Sequence, residues 1–172
     1  MDLWNACVTA GEKFGLAPFG TEALHVLRAE KGYIAVGQDT DGTVTPDDLG
    51  MGGLVSKKKD FLGKRSLSRA DMTGPERRQL VGLLTTDAQK LLPEGAHIVE
   101  RVLPKAPMKT LGHVTSSYYS PTLGRSIALA MLENGRAKLG EPVRLPLEDG
   151  RTVTATVTSP VFFDPEGKRL HG

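Results

Sequence analysis

The first third of the chain carries apolar residues at helical spacing, in two segments separated by glycine and proline. In the first segment the apolar positions recur every three or four residues. This spacing predicts an amphipathic helix over residues 3–14 that ends at Gly15. Trp4 lies beside the apolar stripe and Cys7 lies within it, so both side chains are expected to pack in a core. The stripe consists of Leu3, Ala6, Cys7, Ala10 and Phe14.

A second helical segment follows. Thr21 is a suitable N-cap, Gly32 is a suitable end, and residues 33–36 form a short extended run. Arg28 and Glu30 lie near the exit of this helix but on different faces, because residues two apart on a helix do not face each other. Solvated surface charge is the ordinary role of such residues, so the pattern alone assigns them no function. The apolar face consists of Ala23, Leu24 and Leu27.

Residues 38–53 have the composition of a loop, with Asp-Gly, Thr-Pro and several glycines. Four acidic residues in this loop raise the question of a calcium site. The order Asp-Thr-Asp-Gly starts like an EF-hand loop, but the remaining ligands and the closing glutamate are missing. The four side chains are therefore expected to be solvated and to cap turns. They are Asp39, Asp41, Asp47 and Asp48.

A short basic run, Lys57–Lys59, precedes Asp60, which has the character of an N-cap. The sequence predicts a short helix there that carries Phe61, Leu62 and Leu67. The three lysines either form a solvated face or lie near an anionic ligand tail. The composition changes at Thr73-Gly74-Pro75, and we expect a domain boundary there, with domains at residues 1–74 and 75–172.

After this boundary the pattern is that of short strands. Alternation around Asp149-Gly150 predicts a hairpin with a type I′ turn, and Pro142 and Pro146 suggest an edge position or an irregular start for its first arm. The expected fold class is α+β, a helical segment followed by a small antiparallel β-barrel or a sandwich. The tail from Phe162 is expected to fray. The predicted strands are residues 80–84, 97–100, 108–116, 127–132, 143–147 and 153–157.

Composition excludes several classes of protein. The 172 residues carry a formal net charge of +2 with scattered basic residues, which argues against nucleic-acid binding. One cysteine excludes an internal disulfide and a multi-cysteine metal site. No apolar run could cross a bilayer and no secretory leader is present, so no membrane partner and a cytoplasmic location are expected. Because the chain opens directly into a helix, we expect it to be a piece of a larger protein.

Motifs for self-contained catalysis are missing from the sequence. There is no dinucleotide fingerprint, no phosphate-binding loop, no zinc spacing among the four histidines and no nucleophile elbow around Ser117. The expectation is that the chain holds no complete catalytic centre and no metal site. Arg28 and Glu30 remain as candidates. A carboxylate can accept two parallel N–H bonds, which suits an amidine-like edge such as that of an aminopyrimidinone.

A series of motifs in fixed order resembles the glycine-cleavage T-protein (aminomethyltransferase) superfamily over essentially the whole chain. Longer segments, from Phe19 to Gly52 and from Val55 to Leu67, resemble the large (α) subunits of the heterotetrameric sarcosine oxidases. The shorter motifs are Leu-Arg-Ala-Glu-Lys-Gly at 27–32, Asp-Phe-Leu-Gly-Lys at 60–64, Val-Gly-Leu at 81–83, Gly-His-Val-Thr-Ser at 112–116, Ser-Pro-Thr-Leu-Gly at 120–124 and Ile-Ala-Leu-Ala at 127–130.

This resemblance implies a folate site. In the family the glutamate of the Leu-Arg-x-Glu motif grips the pteridine ring of tetrahydrofolate, and here that residue is Glu30. Lys59 matches a basic residue near the folate, where T-proteins have arginine, and Arg28 belongs to the same predicted site. Gly53 stands where the family often has tryptophan. The catalytic aspartate of the family lies upstream of residue 3, so no catalytic residue is assigned in this chain.

The resemblance also implies a parent activity. A sarcosine oxidase converts sarcosine to glycine and hydrogen peroxide, and releases formaldehyde or forms 5,10-methylenetetrahydrofolate. Its FAD, FMN and NAD are expected to bind outside this chain, and its other subunits and the missing N-terminal part of the same subunit are the expected partners. This chain alone is expected to be inactive. The alternatives are an aminomethyltransferase, a dimethylglycine-oxidase-type protein, or a non-catalytic barrel that serves for subunit contact.

Overall fold

The computed structural model describes residues 1–171, with side chains described up to residue 169. The first part of the chain is helical and irregular. No helix in the described range is long and apolar enough to cross a membrane. The helices are α1 (Asp2–Gly11), α2 (Thr21–Glu30), α3 (Ala70–Thr73) and α4 (Lys168–His171), with short 3₁₀ turns at Glu12–Phe14, Gly52–Leu54, Ser66–Ser68 and Gly135–Lys138.

Six antiparallel strands follow and form a closed barrel in the order β1-β4-β3-β2-β5-β6. The barrel closes because β1 pairs with β4 on one side and with β6 on the other. Strand β5 pairs with β6 along its whole length but meets β2 at one registered pair, Val99 with Arg144, so neither of its two prolines is paired on the β2 side. The predicted α+β class with an antiparallel barrel is confirmed. The strands are β1 (Arg78–Thr85), β2 (His97–Val99), β3 (Thr110–Ser120), β4 (Arg125–Glu133), β5 (Pro142–Pro146) and β6 (Thr152–Thr158).

The predicted hairpin is present, but its turn is not of type I′. The Gly150 N–H donates to the Leu147 carbonyl at 3.0 Å, and the Leu147 N–H donates to the Arg151 carbonyl at 2.8 Å. Only Gly150 has a positive φ, +80°, whereas a type I′ turn also needs one at Asp149. The connection is therefore a three-residue loop in which Gly150 forms the bulge. The Asp-Gly pair indicated the right place and the wrong loop length.

Strand β4 is buried on both faces, and this divides the interior into two layers. Ala128, Ala130 and Leu132 point into the barrel, whose lining comes from all six strands together with Leu92. Ile127, Leu129 and Met131 point outward, since successive side chains of a strand alternate between its faces. They contact Ala29 of α2 and Leu80 of β1 in a second cluster. Partly buried residues complete that cluster: Ile34, Val44, Leu49, Leu84, Tyr118, Leu123 and Phe162.

Helix α2 lies on the outside of the barrel, against β3 and β4, and its C-terminus is fully capped. The Tyr33 N–H donates to the Arg28 carbonyl at 2.8 Å and the Gly32 N–H to the Ala29 carbonyl at 3.0 Å. This is a Schellman motif, with Gly32 in the left-handed conformation (φ +68°). The Glu30 carbonyl is satisfied from elsewhere in the chain.

The segment after β6 supplies that last cap. The N–H groups of Phe162 and Phe163 both donate to the Glu30 carbonyl at 2.9 Å. A Cβ on Gly32 would lie 2.6 Å from the Pro160 carbonyl oxygen, and a Cβ on Gly82 would overlap Phe162, so two glycines make room for this segment. Residues 159–164, the return segment below, are thus held between α2 and β1. The prediction that the chain frays from Phe162 is wrong for this part.

Several predictions for the first third of the chain need correction. The first helix forms, but α1 buries no residue: Trp4 is 58% exposed and Cys7 is exposed, because no part of the described chain packs on that face. Gly20, not Thr21, is the N-cap of α2, and residues 36–39 form a turn that shortens the extended run.

The predicted helix after Asp60 is also wrong. Gly63 has a φ of +90°, which breaks the helical conformation, and only the 3₁₀ turn Ser66–Ser68 follows it. Asp60 is exposed and pairs with Lys64 at 3.3 Å. The domain boundary near residue 74 stays a prediction.

Candidate functional site

Arg28 and Glu30, in the last turn of α2, both reach β3. Side chains of Ser116, Tyr118 and Ser120 lie on the same side of that strand, as alternate residues do. Arg28 Nη2 donates to Ser116 Oγ at 2.7 Å and lies 3.5 Å from the Tyr118 hydroxyl. At the end of β3, Ser120 Oγ donates to Glu30 Oε1 at 2.6 Å. One strand thus organises both charged residues.

Arg28 is engaged in a buried polar network centred on Asp39. The Asp39 carboxylate is 1% exposed and forms an ion pair with Arg28. It also accepts the Ala35 N–H at 2.8 Å, the Ser116 hydroxyl at 2.7 Å and the Thr115 hydroxyl. Four donors around one buried carboxylate satisfy both of its oxygens. The expectation that Asp39 is solvated is therefore wrong, since this loop acid is a structural anchor.

Asp48 is a second buried acid with a full set of partners. Arg77 forms an ion pair with it, and the backbone N–H and hydroxyl of Thr45 both donate to it at 2.8 Å. Burial raises the pKa of Asp48, but the hydrogen bonds from Arg77 and Thr45 outweigh burial and hold that pKa below its ordinary value. The Leu80 N–H donates to the Asp48 carbonyl at 2.8 Å, which ties the loop to the start of β1. The predicted solvation of Asp48 is wrong too.

Asp41 and Asp47 follow the prediction more closely. Asp41 is exposed and accepts the N–H and the hydroxyl of Thr43, which is a turn cap, and these bonds lower its pKa. Asp47 is exposed and pairs with Arg136 at 3.0 Å. No group of three or more potential metal ligands occurs within residues 1–171.

Glu30 differs from the two buried aspartates. It is 2% exposed, yet Ser120 is its one side-chain donor within the described chain, and no cation pairs with it. Oε2 accepts no hydrogen bond from the described residues. Three side-chain atoms of the described residues are fully enclosed and have no hydrogen-bond partner: Arg28 Nε, Arg125 Nε and Ser126 Oγ. Glu30 Oε2 is not one of them, so this oxygen keeps some contact with the outside. Buried carboxylates ordinarily have several donors, and this one keeps an open oxygen.

Lys59 does not join Arg28 and Glu30 in this structure. It is exposed, its N–H donates to Ser56 Oγ at 3.0 Å, and its carbonyl accepts Lys64 Nζ at 2.9 Å. No hydrogen bond or ion pair of the described residues connects its ammonium group to either of the other two. Gly53, at the position of the expected aromatic wall, is exposed, and a Cβ there would meet nothing within 4 Å.

A separate cleft of about 710 Å³ lies between the loop of residues 38–53, α3 and the barrel. Its walls include Asp41, Arg78 and His113. Burial, followed by the positive charge of Arg78, lowers the pKa of His113. None of the three predicted site residues lines this cleft, and its walls carry charges of both signs. The open oxygen of Glu30 is therefore the more specific chemical feature.

Comparisons with known proteins agree with this architecture. The family model described as the glycine cleavage T-protein C-terminal barrel domain matches residues 78–164, just over half of the chain. The chain belongs to the glycine cleavage T-protein family. The model of the GCVT N-terminal domain matches residues 1–59.

Individual relatives fall into two groups. Sarcosine oxidase subunit alpha of Corynebacterium sp. (strain U-96) is 48% identical over 174 residues, which cover 100% of this chain and 18% of that protein. The subunit alpha of Rhizobium meliloti (strain 1021) is 43% identical over 97% of this chain and 17% of its own length. An aminomethyltransferase of Clostridium botulinum (strain Okra / Type B1) is 37% identical over 80% of this chain and 36% of its own length. The predicted resemblance is confirmed, and the chain spans about a fifth of the α subunits it matches.

A solved structure has the same fold. The crystal structure of glycine cleavage system aminomethyltransferase T from Bartonella henselae superposes with a TM-score of 0.69 and 25% identity. The match covers 83% of this chain and 38% of that chain.

Sequence reasoning missed the residues that hold the site together. Asp39, Thr115 and Ser120 carry no local signal of contact with α2, because their partners lie far away along the chain. A signal for two of them was present, since Thr115 and Ser120 fall within the Gly-His-Val-Thr-Ser and Ser-Pro-Thr-Leu-Gly segments. The two adjacent phenylalanines at 162 and 163 were a further signal, because aromatic residues in a polar tail often pack.

Proposed function

We propose that this chain is the folate-site section of a sarcosine-oxidase-type α subunit, and that Glu30 binds the pterin ring of tetrahydrofolate. The observation that carries the proposal is the state of the Glu30 carboxylate, which is buried, has a single hydroxyl donor and keeps Oε2 open. An amidine-like ring edge offers two adjacent N–H donors. Such an edge supplies what the carboxylate lacks, because a carboxylate accepts a parallel pair of N–H bonds.

The two other candidate residues, Arg28 and Lys59, would have different roles in this site. Arg28 has its hydrogen bonds occupied by Asp39, Ser116 and Gln38, so we assign it the role of fixing α2 on the barrel rather than of holding the ligand. Lys59 lies on an exposed loop, where an ammonium group suits the anionic end of a folate. Tetrahydrofolate would accept the one-carbon unit at this place. The chain's own contribution is to orient it, and orientation can supply up to about 7–11 kcal/mol of barrier reduction in favourable cases.

The parent activity belongs to the same proposal. We assign the parent the oxidation of sarcosine by dioxygen to glycine and hydrogen peroxide, with the one-carbon unit passed to tetrahydrofolate or released as formaldehyde. The 43–49% identity to sarcosine oxidase α subunits, against 37% to aminomethyltransferases, favours this activity over aminomethyl transfer. The proposal also includes flavins and NAD in the parent, its other subunits and a cytoplasmic location.

The test replaces Glu30 by glutamine in the complete polypeptide with its partner subunits. The glutamine amide would still accept from Ser120 but would turn N–H donors toward the N–H donors of the ring. Loss of a hydrogen bond to a charged group costs about 1.5–3 kcal/mol, so tetrahydrofolate should bind about 10–150 times more weakly by calorimetry. The matched control is Glu22→Gln, at the exposed start of the same helix, which should leave the affinity unchanged.

A second readout separates the two parent activities. In the Glu30→Gln enzyme, sarcosine-dependent hydrogen peroxide formation should continue while the yield of methylenetetrahydrofolate falls. Unchanged folate affinity in this variant would remove Glu30 from the folate site. Absence of sarcosine-dependent peroxide formation in the unsubstituted enzyme would favour aminomethyl transfer.

A further inference from the structure

The Ser120 hydroxyl lies between a backbone donor and the Glu30 carboxylate. The Leu123 N–H donates to Ser120 Oγ at 3.0 Å, and Ser120 Oγ lies 2.6 Å from Glu30 Oε1. Ser120 is 0% exposed, so water does not compete for either bond. A serine hydroxyl has one proton and two lone pairs. Because the Leu123 N–H can only donate and a carboxylate can only accept, the single proton of the hydroxyl points to Glu30.

Glu30 is held by hydrogen bonds at both its backbone carbonyl and its side-chain carboxylate. The carbonyl of Glu30 is held by the N–H groups of Phe162 and Phe163, and the carboxylate is held by Ser120. A hydrogen bond whose donor hydroxyl itself accepts an N–H bond is strengthened by polarisation. Each carboxylate oxygen can accept two bonds, so Oε1 keeps one free site while Oε2 remains open. The free sites of the two oxygens suit a ligand edge with two adjacent N–H donors.

We propose that Ser120 is the positioning residue of the site, and that it orients Glu30 toward a ligand edge with two adjacent N–H donors. The inference rests on the proposed function, because it names what holds the proposed ligand-binding group. A purely structural role for Ser120 is the alternative. In that case it would cap the turn at residues 121–124 through its bond with Leu123, and its bond to Glu30 would be incidental.

A double-mutant cycle in the complete polypeptide distinguishes these roles, with tetrahydrofolate as the probe and calorimetry as the measurement. Ser120→Ala should weaken binding about tenfold, which corresponds to about 1.4 kcal/mol. In the Glu30→Gln background the same change should alter the affinity less than twofold, since Ser120 acts through Glu30. An equal loss in both backgrounds, or no loss in either, would overturn the proposal.

Two further variants complete the design. Ser126→Ala is the matched control, because Ser126 is a buried serine on the adjacent strand β4 whose hydroxyl has no hydrogen-bond partner among the described residues. The affinity of this variant should stay within twofold of that of the unsubstituted protein. Ser120→Cys keeps the size and a weak donor, and should retain part of the affinity. If Ser120→Ala does not fold, as judged by circular dichroism, Ser120→Cys carries the same cycle. If Glu30→Gln alone leaves the affinity unchanged, the proposed function fails. If only Glu30→Gln acts, the role of Ser120 fails.

Discussion

Replacement of Asp39 by asparagine tests the claim that the Arg28–Asp39 network holds the two parts of the chain together. The asparagine carbonyl can keep the hydroxyl bonds of Thr115 and Ser116. Its amide group would then face the Ala35 N–H and the Arg28 guanidinium, where the carboxylate now accepts. Two donors therefore lose their acceptor, and one of them is charged.

The expected loss follows from these two bonds. The neutral bond contributes about 0.5–1.5 kcal/mol and the charged one about 1.5–3 kcal/mol. Removal of one partner from a buried ion pair costs about 3–5 kcal/mol in other proteins. Arg28 keeps Ser116 and Gln38 as acceptors, so we expect a loss near the low end, about 3 kcal/mol. With a urea m-value of about 2 kcal/mol/M, the midpoint should fall by about 1.5 M.

The assay is urea unfolding at pH 7, followed by circular dichroism. Asp41→Asn is the matched control, because Asp41 is an exposed acid of the same loop whose hydrogen-bond donors both belong to Thr43. This change should lower the free energy of unfolding by less than about 1 kcal/mol. A second check combines Asp39→Asn with Arg28→Met. The double variant should lose less than the sum of the single losses, since no unpaired charge stays buried. A loss for Asp39→Asn no larger than that for Asp41→Asn would refute the assignment.

Two other outcomes are expected in the same unfolding assay. Gly32→Ala should destabilise the protein by about 1 kcal/mol or more beyond Gly15→Ala, because both glycines have φ near +70° but only a Cβ on Gly32 would strike the return segment. An equal loss for the two would show that the return segment does not press on α2. Burial lowers the pKa of His113, so the unfolded state binds its proton more readily and stability falls as the pH drops below about 6.5. His113→Gln should flatten this dependence, whereas an unchanged slope in His113→Gln would exclude His113 as its source.

The barrel was the part of the fold that sequence reasoning predicted best. Strands β1, β4 and β6 repeat apolar residues at the period of a strand, or are apolar on both faces, and short-range patterns of this kind indicate burial directly. The hairpin around Gly150 was also placed, although its loop length was not. A two-residue and a three-residue loop both use a glycine there, so the sequence does not separate them.

Long-range polar contacts could not be predicted from local pattern. Asp39 and Asp48 sit in a segment whose composition indicates a loop, and a loop acid is ordinarily solvated. Their burial depends on Thr115, Ser116 and Arg77, which a local reading does not bring near. Helix α1 shows the opposite error: its apolar stripe correctly predicted an amphipathic helix, but a stripe does not show whether the same chain covers it.

The return segment has a consequence for the order in which the protein can form. Helix α2 is made before the barrel, but the N–H groups that cap its Glu30 carbonyl belong to Phe162 and Phe163, which leave the ribosome after the whole barrel. Contacts between such distant positions form late, because a long loop must close first. The candidate site is therefore completed only after the barrel, and a nascent chain that stalls before residue 159 carries Glu30 on a helix whose last carbonyl is still uncapped.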